Sequence, residues 1–216
     1  MQASPGSLSL PEDLARRLCV GVLAGGQSAR MGEDKAWLDF GGQALLLHVL
    51  QRLAPLAVPT MVAAGAAGHQ VPKPAPEVQL VRDRIAGEGP LLGIEALFAA
   101  MPKERDLLLL ASCDAPFVDA GLAAVLYAQL GTAEAAVPSQ QGQLHGLLAL
   151  YRRSTASALA ATLRSGRRSV HAWLQRLSWI EVDASILKAA GLDPQLLLNI
   201  NEPDEYQQAR TRLEGS

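Results

Sequence analysis

The most restrictive feature of the sequence is an uninterrupted apolar run over residues 107–111, which ends in a short polar segment. A strand that is apolar at every position is typical of the centre of a parallel sheet, where both faces are buried. Strand-length and helix-length apolar segments alternate along the chain before it. This alternation predicts an α/β fold with three layers, in which helices cover both faces of a mostly parallel, Rossmann-like sheet.

The individual elements are predicted from the length of each apolar segment. Strands are expected at residues 18–23, 59–64, 78–81 and 107–111, and helices at 44–53, 91–101 and 118–130. Further along the chain we expect strands at 147–151 and 179–182 and a last helix at 203–213. Residues 1–17 are predicted to be a flexible N-terminal leader and residues 18–216 a single domain, with nucleotide-binding residues in its first half and acceptor-binding residues in its second.

The composition argues against several classes of partner. Hydrophobic residues make up 49% of the 216 residues and charged residues 19%, so a sizeable core can form. The formal net charge of -2 gives no basic excess for a nucleic acid or a membrane surface. No segment approaches the roughly 18 apolar residues of a membrane span. Cys19 and Cys113 fit neither a disulfide framework nor a zinc site, which favours a cytoplasmic protein.

A glycine-rich loop follows the first predicted strand, between residues 23 and 32. Ligands bind beyond the carboxyl ends of the strands in open α/β sheets, and glycines there let backbone N–H groups approach a phosphate. Arg30 and Lys35 add positive charge, so a polyphosphate is the expected ligand. The spacing is neither that of a Walker A loop nor that of a G-x-G-x-x-G dinucleotide site. A glycine-rich turn with two surface cations is the alternative.

The same loop resembles a family signature, because it reads Leu23-Ala24-Gly25-Gly26-x-Ser28-x-Arg30-Met31-Gly32-x-Asp34-Lys35. It is similar to the signature of the molybdenum cofactor guanylyltransferases, which belong to a wider group of nucleotidyltransferases with a glycosyltransferase-A-like fold. The resemblance implies that the nucleotide is bound by Leu23, Ala24, Gly25, Gly26 and Lys35. It also implies that Lys35 and Arg30 act as catalytic cations on the triphosphate.

Asp114 follows the central apolar run directly after Ser112 and Cys113. The carboxyl end of that strand faces the same predicted crevice as the glycine-rich loop. Mg²⁺ needs few protein oxygens when phosphates supply the others, so Asp114 is the candidate magnesium ligand and a catalytic, nucleotide-contacting residue. The resemblance implies the same role, since the family has a metal-binding aspartate in a similar element. The alternative is that Asp114 caps the helix that follows it.

Asp83 precedes a Gly-Pro-Leu-Leu-Gly segment at residues 89–93 that resembles another element of the family. The resemblance implies that Asp83 contacts the nucleotide, and capping of its own loop is the alternative. Pro90 suits the first turn of a helix, so part of this motif has a structural explanation. The family also has a nucleotide-contacting asparagine after the second strand. This sequence has no amide side chain there, at residues 62–65.

The acceptor candidates lie in the C-terminal half of the chain: Asn199, Asn201, Arg168 and His145. Residues 199–203 resemble the family's Asn-x-Asn-Thr-Pro element, with Glu202 in place of threonine. Amide side chains both donate and accept hydrogen bonds, which suits a pterin or a phosphate. Arg168 resembles the arginine of a Gly-x-Arg element, and His145 the histidine of a His-Pro pair in which Gly146 replaces proline. The alternatives are a helix start, an exposed arginine and a packed histidine.

The resemblance implies an enzyme that transfers GMP from GTP to the phosphate of molybdopterin or Mo-molybdopterin, with Mg²⁺ as cofactor and pyrophosphate as leaving group. Other cofactor-biosynthesis proteins or apo-molybdoenzymes are expected as partners. A molybdopterin cytidylyltransferase or a sugar-phosphate nucleotidyltransferase of the same fold is the first alternative. A non-catalytic nucleotide-binding or docking protein is the second. Gly25 is the expected base selector, because the cytidylyl members tend to have alanine there and glycine leaves the backbone open to guanine.

Overall fold

The computed structural model describes residues 10–24, 34–65, 70–82 and 89–214. Its helices are α1 (Glu12–Arg17), α2 (Leu45–Leu53), α3 (Pro90–Ala100), α4 (Leu122–Leu130), α5 (Ala156–Arg164), α6 (Val170–Leu174), α7 (Ala184–Ala189) and α8 (Pro203–Glu214). Its strands are β1 (Leu18–Leu23), β2 (Thr60–Ala63), β3 (Gln79–Val81), β4 (Leu107–Ser112), β5 (Ala135–Gln140), β6 (Gln143–Leu144), β7 (Ala149–Arg152) and β8 (Trp179–Asp183). In these ranges, no helix combines the length and the apolar character that crossing a membrane requires.

The described strands form an eight-stranded sheet in the order β3-β2-β1-β4-β7-β5-β6, with β8 paired to β5. The pairs from β3 through β4 are parallel, β7 is antiparallel to both β4 and β5, and β8 is parallel to β5. The chain runs outward from β1 to β3 and then returns to β4 on the other side of β1. Strands β1 and β4 therefore flank the topological switch point, where ligands bind in sheets of this kind. The predicted α/β fold with a mostly parallel sheet is confirmed.

Strand β4 shows why the central run must be apolar throughout. Its six residues are all buried. Leu109 and Ala111 pack in a cluster with residues of α2 and α4, whereas Leu108 and Leu110 pack in a second cluster with residues of α3 and α5. Because successive side chains of a strand point to opposite faces, an apolar side chain is needed at every position when helices cover both faces.

The folded part of the chain begins earlier than the sequence predicts. Residues 12–17, assigned above to the flexible leader, form α1, and Leu14 is fully buried in the core. Arg17 donates to both carboxylate oxygens of Asp106, at 2.8 Å each. This polar segment is therefore fixed by tertiary contacts that its composition does not reveal. The leader prediction is corrected for these residues, and residues 1–9 lie outside the described ranges.

The structure contains elements in the C-terminal half that the apolar patterns do not predict, among them β5, α5, α6 and α7. Pro138 lies inside β5, and a proline within a run argues against a strand. The structure tolerates it because β5 pairs with β7 before this residue, at Ala135 and Ala136, and with β6 after it, at Ser139 and Gln140. Pro138 therefore lies between the β5–β7 and β5–β6 ladders, where neither ladder needs its missing N–H.

Helix α8 packs on the segment that follows Lys35. Phe40 and Ile200 are buried in a third cluster, against which Tyr206 and Leu213 of α8 pack. The hydroxyl of Tyr206 also donates to the carbonyl of Asp39. The last helix therefore lies over the loop between Lys35 and α2, close to the carboxyl ends of the central strands.

Candidate active site

The candidate site forms where β1 and β4 end side by side. Leu23 pairs with Ser112 at the end of the shared register, and the N–H of Cys113 donates to the Leu23 carbonyl at 2.9 Å. This pairing leaves Asp114 just beyond the carboxyl edge of the sheet, at the switch point. The carboxylate thus lies beside the end of the first strand, where the sequence predicts it.

Lys35 reaches the same place from a short 3-10 helix, Lys35–Trp37. Asp34 Oδ1 accepts a hydrogen bond from the N–H of Ala36 at 3.0 Å and so caps this turn. The Nζ of Lys35 lies 3.4 Å from Oδ2 of Asp114, and the two side chains are only 18% and 17% exposed. Partial desolvation strengthens this ion pair relative to an exposed one.

Asn201 joins these two residues, and we call Lys35, Asp114 and Asn201 the charged cluster. The Nζ of Lys35 donates to Oδ1 of Asn201 at 3.1 Å, across 166 positions of sequence. The main chain is linked as well, since the N–H of Ile200 donates to the Asp114 carbonyl at 2.8 Å. Asn199, the other predicted amide, is partly buried two residues before. Residues predicted for the nucleotide and for the acceptor therefore meet in one cluster.

One carboxylate oxygen of Asp114 lacks a hydrogen-bond partner among the described residues. Its Oδ1 is buried and unpaired, while Oδ2 contacts Lys35. Buried polar atoms are nearly always paired, so this oxygen is open to a partner from outside the described residues, such as a bound ligand. Mg²⁺ is a fitting ligand, because it binds few protein oxygens where phosphates provide the others. The described part of the chain has no cluster of three or more His, Cys, Asp or Glu side chains that could hold a metal ion.

Glu205, in the third position of α8, is a residue that sequence reasoning misses. Its Oε2 accepts hydrogen bonds from the N–H of Asn201 at 2.6 Å and from the N–H of Glu202 at 3.1 Å. An acidic side chain that reaches back from the third helical position is one half of a capping box. The sequence signal is its spacing from Pro203, where the last helix was expected to begin.

His145 lies in the turn before β7. Its backbone N–H donates to the Pro138 carbonyl at 2.9 Å. The ring atom Nδ1 is buried without a partner in the described ranges. Burial lowers the pKa of the imidazole, which favours the neutral ring. Next to it, a Cβ on Gly146 would lie 2.6 Å from Cγ1 of Val170 on α6. The departure from His-Pro therefore makes room for α6.

Arg168, just before α6, is bound to the end of another helix. Its Nη1 donates to the carbonyl of Leu163 in the last turn of α5, at 2.9 Å. Its own carbonyl lies beside the start of α3, since a Cβ on Gly89 would be 3.3 Å away from it. Arg168 thus lies next to the Gly-Pro element, and its side chain also helps to hold the C-terminal end of α5.

The position of the missing asparagine is held by backbone contacts and an arginine. The N–H of Ala64 donates to the Val81 carbonyl at 3.0 Å, and Nη1 of Arg82 donates to the Ala64 carbonyl at 3.1 Å. Both backbone groups of Ala64 are therefore used within the protein. The guanidinium of Arg82 therefore stabilises the turn after β2 in this chain.

Three predicted nucleotide-binding residues and one predicted catalytic residue lie outside the described ranges, namely Gly25, Gly26 and Asp83, and Arg30. Leu23 and Ala24 are described, and both are buried at the end of β1. The N–H of Ala24 donates to the Ala63 carbonyl at 2.9 Å, so it belongs to the sheet. Any loop N–H groups that bind a phosphate must therefore follow Ala24.

Comparison with known proteins identifies the family. The sequence profile of the MobA-like NTP transferase domain matches residues 20–180, which include most of β1 and all of β4. The chain is 36% identical over 201 residues to the molybdenum cofactor guanylyltransferase of Rhizobium leguminosarum bv. trifolii (strain WSM2304), across 90% of this chain and 92% of the relative. The fold and the relatives define a nucleotidyltransferase. More specifically, the chain belongs to the MobA-like NTP transferase family.

Solved structures support the same fold. The molybdopterin-guanine dinucleotide biosynthesis protein A of Archaeoglobus fulgidus superposes with a TM-score of 0.77 at 23% identity, covering 92% of this chain and 100% of that one. The 2-C-methyl-D-erythritol 4-phosphate cytidylyltransferase of Thermus thermophilus superposes with a TM-score of 0.66 at 17% identity, covering 90% and 98%. Because a cytidylyltransferase shares the fold, the fold alone does not determine which base is bound.

Proposed function

We propose that this protein transfers GMP from GTP to the phosphate of molybdopterin or Mo-molybdopterin, forming the guanine dinucleotide form of the cofactor. One observation carries the proposal. A partly desolvated Lys35–Asp114 pair lies at the switch point of a chain whose relatives are named molybdenum cofactor guanylyltransferases. A cation and an anion side by side suit a ligand that brings both a triphosphate and a divalent metal ion.

The reaction needs positioning and charge neutralisation more than covalent help from the protein. An oxygen of the acceptor phosphate forms a bond to the α-phosphorus of GTP, and the bond from that phosphorus to the pyrophosphate oxygen breaks. No nucleophilic side chain is required. Lys35 and Arg30 stabilise the negative charge of the triphosphate, and Leu23, Ala24, Gly25, Gly26 and Asp83 form the rest of the nucleotide site.

Asp114 has two roles in this proposal, one for each carboxylate oxygen. Oδ2 orients the ammonium group of Lys35, and Oδ1, which has no partner among the described residues, would hold Mg²⁺. When bound, the ion neutralises charge on phosphate oxygens.

The acceptor occupies the side of the cluster formed by the C-terminal half. Asn199 and Asn201 bind the pterin or its phosphate through their amide groups, with Arg168 and His145 as further contacts. The hydrogen bond between Asn201 and Lys35 supports this arrangement, because the acceptor phosphate must lie next to the triphosphate that it attacks. A neutral imidazole at His145 is able both to donate and to accept a hydrogen bond.

The test is to measure pyrophosphate release and the nucleotide product with purified protein, molybdopterin, MgCl₂ and either GTP or CTP. We expect a higher kcat/KM with GTP. Gly25→Ala should reduce the ratio of kcat/KM for GTP to kcat/KM for CTP, mainly by lowering kcat/KM for GTP. The expected change is about 1–3 kcal/mol in transition-state free energy, as is typical of methyl-sized changes. A wild-type protein that prefers CTP would favour the cytidylyl alternative. An unchanged ratio in Gly25→Ala would move the base selector to another part of the site.

The setting of the reaction is part of the proposal. We place the enzyme in the cytoplasm, which agrees with Cys19 and Cys113 being buried free thiols. Other cofactor-biosynthesis proteins or apo-molybdoenzymes receive the product. We also propose that residues 18–216 act as a single nucleotidyltransferase domain, with α1 added to it at the N-terminal side.

A further inference from the structure

We propose that Glu205 is a positioning residue of the transferase site, which orients Lys35 by fixing Asn201. The inference rests on the proposed function and extends it to a side chain outside the nucleotide and acceptor motifs. Glu205 belongs to α8, and its carboxylate binds backbone N–H groups of the loop that carries Asn201.

The carboxylate of Glu205 contacts the backbone on both sides of the Asn201 α-carbon. Oε2 accepts from the N–H of Asn201 at 2.6 Å and from the N–H of Glu202 at 3.1 Å. These two N–H groups belong to the peptide units on either side of the Asn201 α-carbon. One carboxylate oxygen therefore restrains both backbone dihedral angles of Asn201 and, with them, the direction of its Cα–Cβ bond. Hydrogen bonds to an ionised acceptor are about twice as strong as those between neutral groups.

Asn201 depends on such contacts because packing does not hold it. Its neighbour Ile200 is 1% exposed and is buried in the third cluster, whereas Asn201 is exposed. At the far end of its side chain, Oδ1 accepts from Nζ of Lys35 at 3.1 Å, and the same ammonium group lies 3.4 Å from Asp114. A shift of the Asn201 backbone would therefore move a hydrogen-bond partner of Lys35.

The residue before α8 adds to this dependence. It is Glu202, and glutamate is not among the residues preferred as helix N-caps. The N–H groups before the helix are instead bound by Glu205, from inside the first turn.

The rest of α8 is anchored separately, so that Glu205 can be tested without undocking the helix. Tyr206 donates to the Asp39 carbonyl, and Ala209 and Leu213 pack in the cluster around Phe40. Loss of the Glu205 carboxylate should therefore release the loop at Asn201 and leave α8 in place.

The experiment compares Glu205→Ala and Glu205→Gln with Asp204→Ala, which removes an exposed carboxylate from the same turn. With GTP, MgCl₂ and molybdopterin, Glu205→Ala should lower kcat by about 10- to 100-fold, because misplacing a group by an ångström costs up to this much. KM for GTP should also rise, but by a smaller factor, because Lys35 neutralises charge on the bound triphosphate and neutralises more of it in the transition state. Glu205→Gln keeps an acceptor oxygen and should recover most of the activity. Asp204→Ala should resemble wild type.

A double-mutant cycle with Asn201→Ala identifies the path of the effect. If Glu205 acts through Asn201, adding Glu205→Ala to Asn201→Ala should lower kcat little further. Three results would each overturn the positioning role. The first is that the kcat losses of Glu205→Ala and Asn201→Ala multiply fully in the double variant. The others are that Asp204→Ala loses as much kcat as Glu205→Ala, or that kcat is unchanged in Glu205→Ala. An inactive wild type contradicts the proposed function instead. In that case calorimetric affinity for GTP with MgCl₂ decides: an unchanged affinity in Glu205→Ala overturns the role, and a weakened one that Glu205→Gln restores supports it.

Discussion

The two parts of the candidate site are held together in different ways. In the charged cluster, the side chains of Lys35, Asp114 and Asn201 contact one another. In what we call the histidine–arginine region, His145 and Arg168 are held by backbone carbonyls, those of Pro138 and Leu163. The first part is a network in which each group depends on its neighbours. The second consists of separate groups positioned by the packing of α5, α6 and β7.

This difference predicts how substitutions combine. Residues within one network show strong coupling, whereas residues without shared partners have nearly additive effects. We therefore expect changes in the charged cluster to act on kcat and to be non-additive. Changes in the histidine–arginine region should act mainly on the KM for the acceptor. Four measurements test or sharpen this contrast, beginning with the largest expected effect.

Asp114→Ala should abolish nearly all metal-dependent transfer, a loss of about 10³-fold or more in kcat, because both the proposed Mg²⁺ ligand and the partner of Lys35 are removed. The fold should survive, since Ile200 binds the backbone carbonyl of Asp114 and not its side chain. Glu104→Ala, which removes an exposed carboxylate just before β4, is the matched control. Activity near wild type at ordinary Mg²⁺ concentrations would falsify the metal assignment.

Lys35→Ala should lower kcat by about 10²-fold, the usual loss when one electrostatic group at a transition state is removed. The measurement is steady-state kinetics with GTP as the varied substrate. Lys188→Ala, an exposed lysine on α7, controls for the loss of a positive charge. If neither kcat nor the KM for GTP changes in Lys35→Ala, the charged cluster is only a structural contact.

Arg168→Ala should raise the KM for molybdopterin by about tenfold, in line with the loss of one hydrogen bond to a charged group. Its kcat should stay within a few-fold of wild type, in contrast to the cluster variants. Arg167→Ala removes the exposed neighbouring charge and is the control. A Tm that falls in Arg168→Ala with an unchanged KM would show that the contact to Leu163 is its whole role.

His145→Gln should reduce the sensitivity of stability to acid. Burial holds the pKa of folded His145 below the value of about 6.5 expected in the unfolded chain. The unfolded chain therefore binds more protons as the pH falls through this value, and the folded state loses stability. The drop in Tm between pH 7.5 and 5.5 should be smaller in the variant by a few °C at most, since 1 kcal/mol is about 2–4 °C at this size. An equal drop in wild type, His145→Gln and the exposed control His171→Gln would contradict the prediction.

The nucleotide half was easier to predict than the acceptor half for physical reasons. Strand β1 occupies residues 18–23 as predicted, and β4 extends its prediction by one residue, because both are apolar throughout and are followed by polar or glycine residues. Strand β5 contains Pro138, and its stability comes from three partner strands that a local pattern does not show. Helix α1 is polar and is fixed by Arg17 and Asp106, which are 89 positions apart.

Some residues of the candidate site were likewise predictable from local sequence patterns, and others were not. Lys35 and Asp114 were identified because each follows a strongly patterned segment. Asn201 was assigned to the acceptor because residues 199–203 resemble an element of the family and an amide suits a pterin, yet its side chain contacts Lys35. Glu205 was missed, since its significance depends on which backbone groups lie within its reach.

The sequence by itself determined the α/β architecture, the family and the residue types that the chemistry needs, because apolar periodicity and motif spacing are local properties of the chain. Only the tertiary structure decided which of these residues touch. It placed Asp114 beside the ends of β1 and β4, turned one of its oxygens to Lys35 and left the other without a partner among the described residues. It also brought the last helix over the first loop, so that Glu205 holds Asn201 against Lys35. Contacts of this kind depend on sheet order and on helix packing across most of the chain, which no short sequence pattern encodes.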